Sequence, residues 1–136
     1  MVTRAKIFIF DDDTDHVTTI RETLEGAPHD HKVVGVAENA VDAIRGLMTL
    51  RRRHVEIDTI LVDRSAPKRK GTRPVEIGHD VARRARRIMG DRPWIIAYTT
   101  ADEKVARYGD RYYNPRLKRT DDLGRFITNL PARTKK

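Results

Sequence analysis

The chain has 136 residues, 28 of them lysine or arginine against 20 acidic, which leaves a net charge of +8. It contains no cysteine, which excludes disulfides, thiolate catalysis and Cys-ligated metal and fits a reducing compartment. No stretch approaches the ~18 unbroken apolar residues of a membrane span, and the apolar opening is cut off at Asp11, so we expect neither a membrane helix nor a signal peptide but a cytoplasmic domain.

Residues 6–10, KIFIF, form an apolar run that ends in Asp11, Asp12 and Asp13, the pattern of a buried strand delivering carboxylates at its C-terminal end. Val17, Ile20 and Leu24 then keep helical spacing until Gly26 and Pro28 stop it. The unit repeats. Residues 33–37 are strand-like, Asn39 is the expected N-cap, and Ala40, Ile44, Leu47 and Met48 share a helical face. A third strand, 59–62, ends in Asp63, and a polar, basic loop is expected over 64–76. The next helix begins near Gly78 with Val81, Ala85 and Ile88 on one face, and residues 94–98 form the fourth strand, ending in Thr99 and Thr100. A helix of barely two turns is expected over 102–108 and a short fifth strand over 111–113, followed by Asn114 and Pro115. The last helix starts at Asp121 or Asp122 and carries Leu123, Phe126, Ile127 and Leu130 on one stripe. This alternation predicts an α/β fold, a doubly wound five-stranded parallel sheet with helices on both faces, in one domain spanning 1–136.

Open parallel sheets bind ligands outside the carboxyl ends of their strands. Asp11 and Asp12 close the first strand, Asp63 the third and Thr99 the fourth, and Asn114 follows the fifth. Three carboxylates brought together need a counter-charge, which Mg²⁺ supplies while leaving room for phosphoryl oxygens. One of them is then available as a nucleophile, and a hydroxyl such as that of Thr99 can take up charge on the transferred group. The simpler alternative is an acidic helix start beside an ordinary turn-capping aspartate. Placement at successive strand ends favours the metal and phosphoryl site.

The basic residues cluster at Arg51, Arg52 and Arg53, at 68–73, at Arg83, Arg84, Arg86 and Arg87, and at Lys135 and Lys136. They read either as solvated surface or as a field attracting an acidic partner or nucleic acid, without the interleaved aromatics of a single-strand groove. His16, His29, His31, His54 and His79 are scattered without metal-ligand spacing, and no histidine chemistry is expected.

Together these residues resemble the receiver domain of response regulators. KIFIFDDD is similar to that family's first strand and acidic pair, and DTILVDRSAP to its apolar strand, aspartate and proline, which puts Asp63 in the phosphoacceptor place and Pro67 in the proline place. Gly71 has the family's glycine spacing, whereas GHDVARRAR from Gly78 looks like its glycine and helix and makes 68–77 an insertion. IIAYTT resembles the fourth strand with its hydroxyl at Thr99, and Tyr112 is the candidate switch aromatic. The resemblance implies Mg²⁺ bound by Asp11, Asp12, Asp63 and the Arg64 backbone carbonyl. It also implies phosphotransfer from a histidine kinase or phosphotransfer protein rather than an enzyme's turnover, with output through a downstream protein partner, for which the basic excess suggests acidic character. The family's usual lysine is replaced by Asn114, with Lys118 as a possible substitute. That departure supports a competing reading, a degenerate receiver scaffold that binds protein or nucleic acid without being phosphorylated. A phosphohydrolase of the haloacid dehalogenase type fails on spacing, since Asp13 and Thr14 are adjacent where its motif needs an intervening residue.

Overall fold

The computed structural model describes residues 4–116 and 122–131. Five strands, β1 (Lys6–Phe10), β2 (Lys32–Ala37), β3 (Thr59–Val62), β6 (Trp94–Tyr98) and β7 (Arg111–Tyr113), form a parallel sheet in the order β2-β1-β3-β6-β7. Among the described residues four helices accompany it: α1 (Thr14–Glu25), α2 (Ala40–Arg52), α3 (Gly78–Met89) and α4 (Asp122–Thr128). The predicted α/β architecture, doubly wound around five parallel strands, is the observed one.

Strand periodicity divides the interior into two layers. Phe8 and Phe10 of β1 join Ile60 and Val62 of β3 against Ala43 and Leu47 of α2 and Val81 and Ala85 of α3. Ile7 and Ile9 point the other way, with Leu61 and Ile96, onto Ile20 and Leu24 of α1 and Leu123 and Ile127 of α4. A strand covered on both faces is apolar at nearly every position, which is why KIFIF and TILV show no alternation. The Phe8 ring is housed by two glycines: a Cβ on Gly35 would lie 2.8 Å from it and one on Gly46 3.2 Å. Beside it the pairing of β1 with β2 slips, Ile7 facing Val33 but Phe8 facing Gly35, so Val34 is an extra residue in β2.

The helix starts follow local chemistry. The Asp13 carboxylate caps α1 by accepting from the His16 amide at 3.0 Å, and Asn39 caps α2 by accepting from Asp42 at 2.9 Å.

Two expectations are corrected. Within 64–76, Ser65–Pro67 (β4) and Pro74–Glu76 (β5) pair as an antiparallel hairpin, so the segment is not a plain loop. Ala66 is buried beneath it, and the Lys68 carbonyl accepts from the Val41 amide at 2.8 Å, which fastens the hairpin to the first turn of α2. Gly71 occupies its turn at φ 85°, a left-handed conformation that glycine adopts without cost, while the helix begins at Gly78. The second correction concerns 102–108, which folds as turns rather than a helix. Two turns of helix offer little return on the cost of nucleation. The segment is instead anchored by its tertiary bonds: the Tyr108 hydroxyl donates to the Val62 carbonyl at 2.8 Å, and the Asp110 carboxylate accepts from the Ile95 amide at 2.9 Å and from the Arg86 guanidinium.

Candidate metal centre and acidic pocket

The sheet delivers Asp11 and Asp12 from the end of β1 and Asp63 from the end of β3. Parallel pairing sets Phe10 beside Val62, so the aspartates that follow emerge at the same level. One carboxylate oxygen from each lies within 4.8 Å of the others. They line a pocket of about 230 Å³ shared with His16, Tyr98, Thr99 and Pro115. Gly78 permits the close approach behind it, since a Cβ there would sit 2.9 Å from the Asp63 carbonyl.

Negative charge is concentrated here. Among the described residues no lysine or arginine pairs with Asp11, Asp12 or Asp63. Burial, and then the Asp11 charge, push the Asp63 carboxyl up to about 7, although the Ser65 and Arg64 amides hydrogen-bond to it and pull the other way. Asp12 is also raised, mainly by burial. A partly buried set of hard oxygens that resists full ionisation fits a divalent cation such as Mg²⁺.

The Arg64 carbonyl, expected as a further ligand, is engaged in hydrogen bonds within the fold. That oxygen accepts from both the Ile77 and Gly78 amides, each at 2.9 Å, so its two lone pairs already serve the start of α3. Thr99 is buried at the pocket wall, where its oxygen accepts from the Ala101 amide at 3.1 Å and leaves the hydroxyl proton to donate. Asn114 lies elsewhere. Its amide donates to the Tyr112 hydroxyl at 2.9 Å and its oxygen accepts from the Arg116 amide at 2.8 Å, on the wall of an adjoining cleft of about 810 Å³ that opens where the helix over 102–108 was expected. Tyr112 in turn donates to the Ala101 carbonyl at 2.6 Å. Lys118 lies outside the described residues.

Histidine chemistry was set aside on the sequence, yet His16 reaches this pocket. Its Nδ1 is 3.2 Å from Asp11 Oδ2 and its Nε2 3.1 Å from the Tyr98 hydroxyl. The carboxylate can only accept, so Nδ1 carries the proton and Nε2 of the neutral ring accepts from Tyr98. The bond to Asp11 raises the His16 pKa. The legible signal was positional: a histidine two residues into a helix that starts at an acidic strand end is aimed back at that end.

No family model matches the chain, and no curated protein matches it in sequence. Solved structures do match. The response regulator domain of Thermotoga maritima CheB is similar at a TM-score of 0.68 and 14% identity, over 94% of this chain and 98% of that one. The Mn²⁺-bound form of response regulator Rcp1 gives 0.65 and 15%, over 96% and 99%. CheY6 from R. sphaeroides, in complex with the phosphorylated P1 domain of CheA3, gives 0.62 and 19%, over 93% and 98%. At these identities the likeness is one of fold, and that fold is the response-regulator receiver fold.

Proposed function

We propose that this chain is a response-regulator receiver that accepts a phosphoryl group on Asp63. The observation that carries the reading is the convergence of Asp11, Asp12 and Asp63 at two neighbouring strand ends, with the Thr99 hydroxyl on the same pocket wall. Asp11, Asp12 and Asp63 would hold Mg²⁺, which neutralises their charge and that of the incoming oxygens. An Asp63 oxygen attacks phosphorus, the bond to the donor histidine nitrogen breaks, and that nitrogen leaves with the electron pair. Thr99 donates its hydroxyl proton in a hydrogen bond to a phosphoryl oxygen. The donor would be a histidine kinase or phosphotransfer protein in the cytoplasm, and the output a protein contact.

The test is intact mass after incubation with Mg²⁺ and acetyl phosphate. A gain of one phosphoryl group, stable in acid, labile in base and absent from Asp63→Ala, is expected. No adduct in the wild type across donor and metal concentrations removes small-donor phosphorylation, and labelling of Asp63→Ala moves the acceptor elsewhere.

The position of Asn114 favours the scaffold reading, since an uncharged side chain bonded to Tyr112 cannot supply the cation that the family's lysine brings. Three clustered carboxylates weigh against it, because a scaffold gains nothing from their mutual repulsion.

A further inference from the structure

The basic clusters that are separate in the sequence meet on one side of the fold. Helices α2 and α3 cover the same sheet face and pack together, and the hairpin is fastened to the first turn of α2 through the Lys68 carbonyl. Arg45 and Arg52, seven residues apart, are exposed along α2, and Arg83, Arg84 and Arg87 along α3. The tight turn from Arg69 to Thr72 holds Lys68, Arg69, Lys70 and Arg73 exposed. Acidic compensation is partial: Asp42 is exposed in the first turn of α2, and Glu76 of the hairpin pairs with Arg64. Asp80 pairs with Arg83 and approaches Arg84, while Arg45, Arg52 and Arg87 have no acidic partner among the described residues. The opposite side differs, with Asp15, Glu22 and Glu25 on α1 against Arg21, and Asp122 against Arg125 on α4.

We propose that the face formed by α2, α3 and the hairpin binds the phosphate backbone of double-stranded nucleic acid without reading bases. Guanidinium forks match phosphate oxygens, and helices of this length lay them out over roughly 20 Å, a span on which a duplex offers on the order of ten phosphates. Three features select this ligand over others. The helix positions are all arginine, the phosphate-matching residue, rather than lysine. No phenylalanine, tyrosine or tryptophan stands among them, so unpaired bases lack a large ring to stack on. Met48 and Val75 are the large exposed apolar residues on this face, too few to insert into a bilayer. The proposal is independent of phosphorylation at Asp63.

The test is binding to a mixed-sequence DNA duplex over a salt series, comparing wild type with two triple variants of equal net charge. One carries Arg45→Gln, Arg52→Gln and Arg87→Gln, the other Arg21→Gln, Lys32→Gln and Arg125→Gln, from α1, the start of β2 and α4. All are exposed, glutamine keeps helix propensity at the five helical positions and Lys32 stands at a strand end, so both variants should melt like the wild type. The first should lose at least tenfold in affinity at low salt and flatten the salt slope by about 3, and the second should change little. Equal losses in the two variants would mean that bulk charge alone binds DNA and would overturn the proposal. So would tighter binding, at the same ionic strength, to polyglutamate or to anionic vesicles than to the duplex.

Discussion

His16 Nδ1 lies 3.2 Å from Asp11 Oδ2 while the Asp13 amide donates to Asp11 Oδ1 at 2.9 Å, so both oxygens of this buried carboxylate are held before any cation arrives. Protonated, His16 is a cation competing for the place where a divalent ion would bind. We expect His16→Gln to bind Mg²⁺ several-fold more tightly than the wild type at pH 6, with the gap closing by pH 9. Calorimetric titration at the two pH values checks this, and identical affinities at pH 6 would reduce His16 to a packing role.

Asp63 also makes stability depend on pH. Its carboxyl ionises near 3.8 when unfolded but only at about 7 when folded, so between these values the folded state binds the extra proton. Its contribution is therefore most favourable at low pH, declines as pH rises from about 4 to 7, and is constant above. The raised His16 pKa acts in the same sense, its contribution being present below 6.5 and lost as pH passes the folded value. In EDTA, Asp63→Asn should be more stable than the wild type at pH 8 by as much as about 4 kcal/mol, and equal to it near pH 4. Urea unfolding at both values tests this; coincident curves at pH 8 would show that Asp63 ionises without strain.

The missing lysine can be restored. Asn114 is only 7% exposed, and its neighbour Pro115 lines the acidic pocket. A lysine there loses hydration unless its ammonium turns to Asp63 and Asp11. Asn114→Lys should therefore shift the acid limb of acetyl phosphate labelling to lower pH by a unit or so, as a neighbouring cation does. A variant that loses stability with its labelling profile unmoved would have placed the ammonium in the cleft beside Tyr112.

The Phe8 niche predicts a coupled pair. Gly35→Ala brings a methyl to 2.8 Å from the ring and should cost about 1–3 kcal/mol. Phe8→Leu costs stability too, but the double variant should lose less than the sum, because the smaller side chain vacates the space the methyl needs. Additive losses in denaturant melts would show that β2 shifts instead.

The sheet and its helices were legible because burial on both faces makes each strand a continuous apolar run between polar helix caps such as Asp13 and Asn39. The carboxylate cluster was legible for the same reason, as Asp11, Asp12 and Asp63 stand immediately after such runs. The hairpin was not, since its strands have only three residues each, β5 is exposed throughout, and each contains a proline, which carries no strand signal. The region 102–108 misled because helical composition was outweighed by the tertiary bonds of Tyr108 and Asp110. The occupied Arg64 carbonyl could not be foreseen either, because its donors, Ile77 and Gly78, lie across the whole hairpin from it.

The extra residue in β2 bears on how the molecule behaves in company. β2 is one border of the sheet, and a border strand with the regular rise of a ladder invites a second chain to pair with it. Val34 breaks that rise and bends the strand, with Lys32 adding charge at its start. The other border, β7, has three residues and begins with Arg111. Both margins thus offer poor templates, and the accommodation of one phenylalanine ring doubles as protection against sheet-to-sheet aggregation.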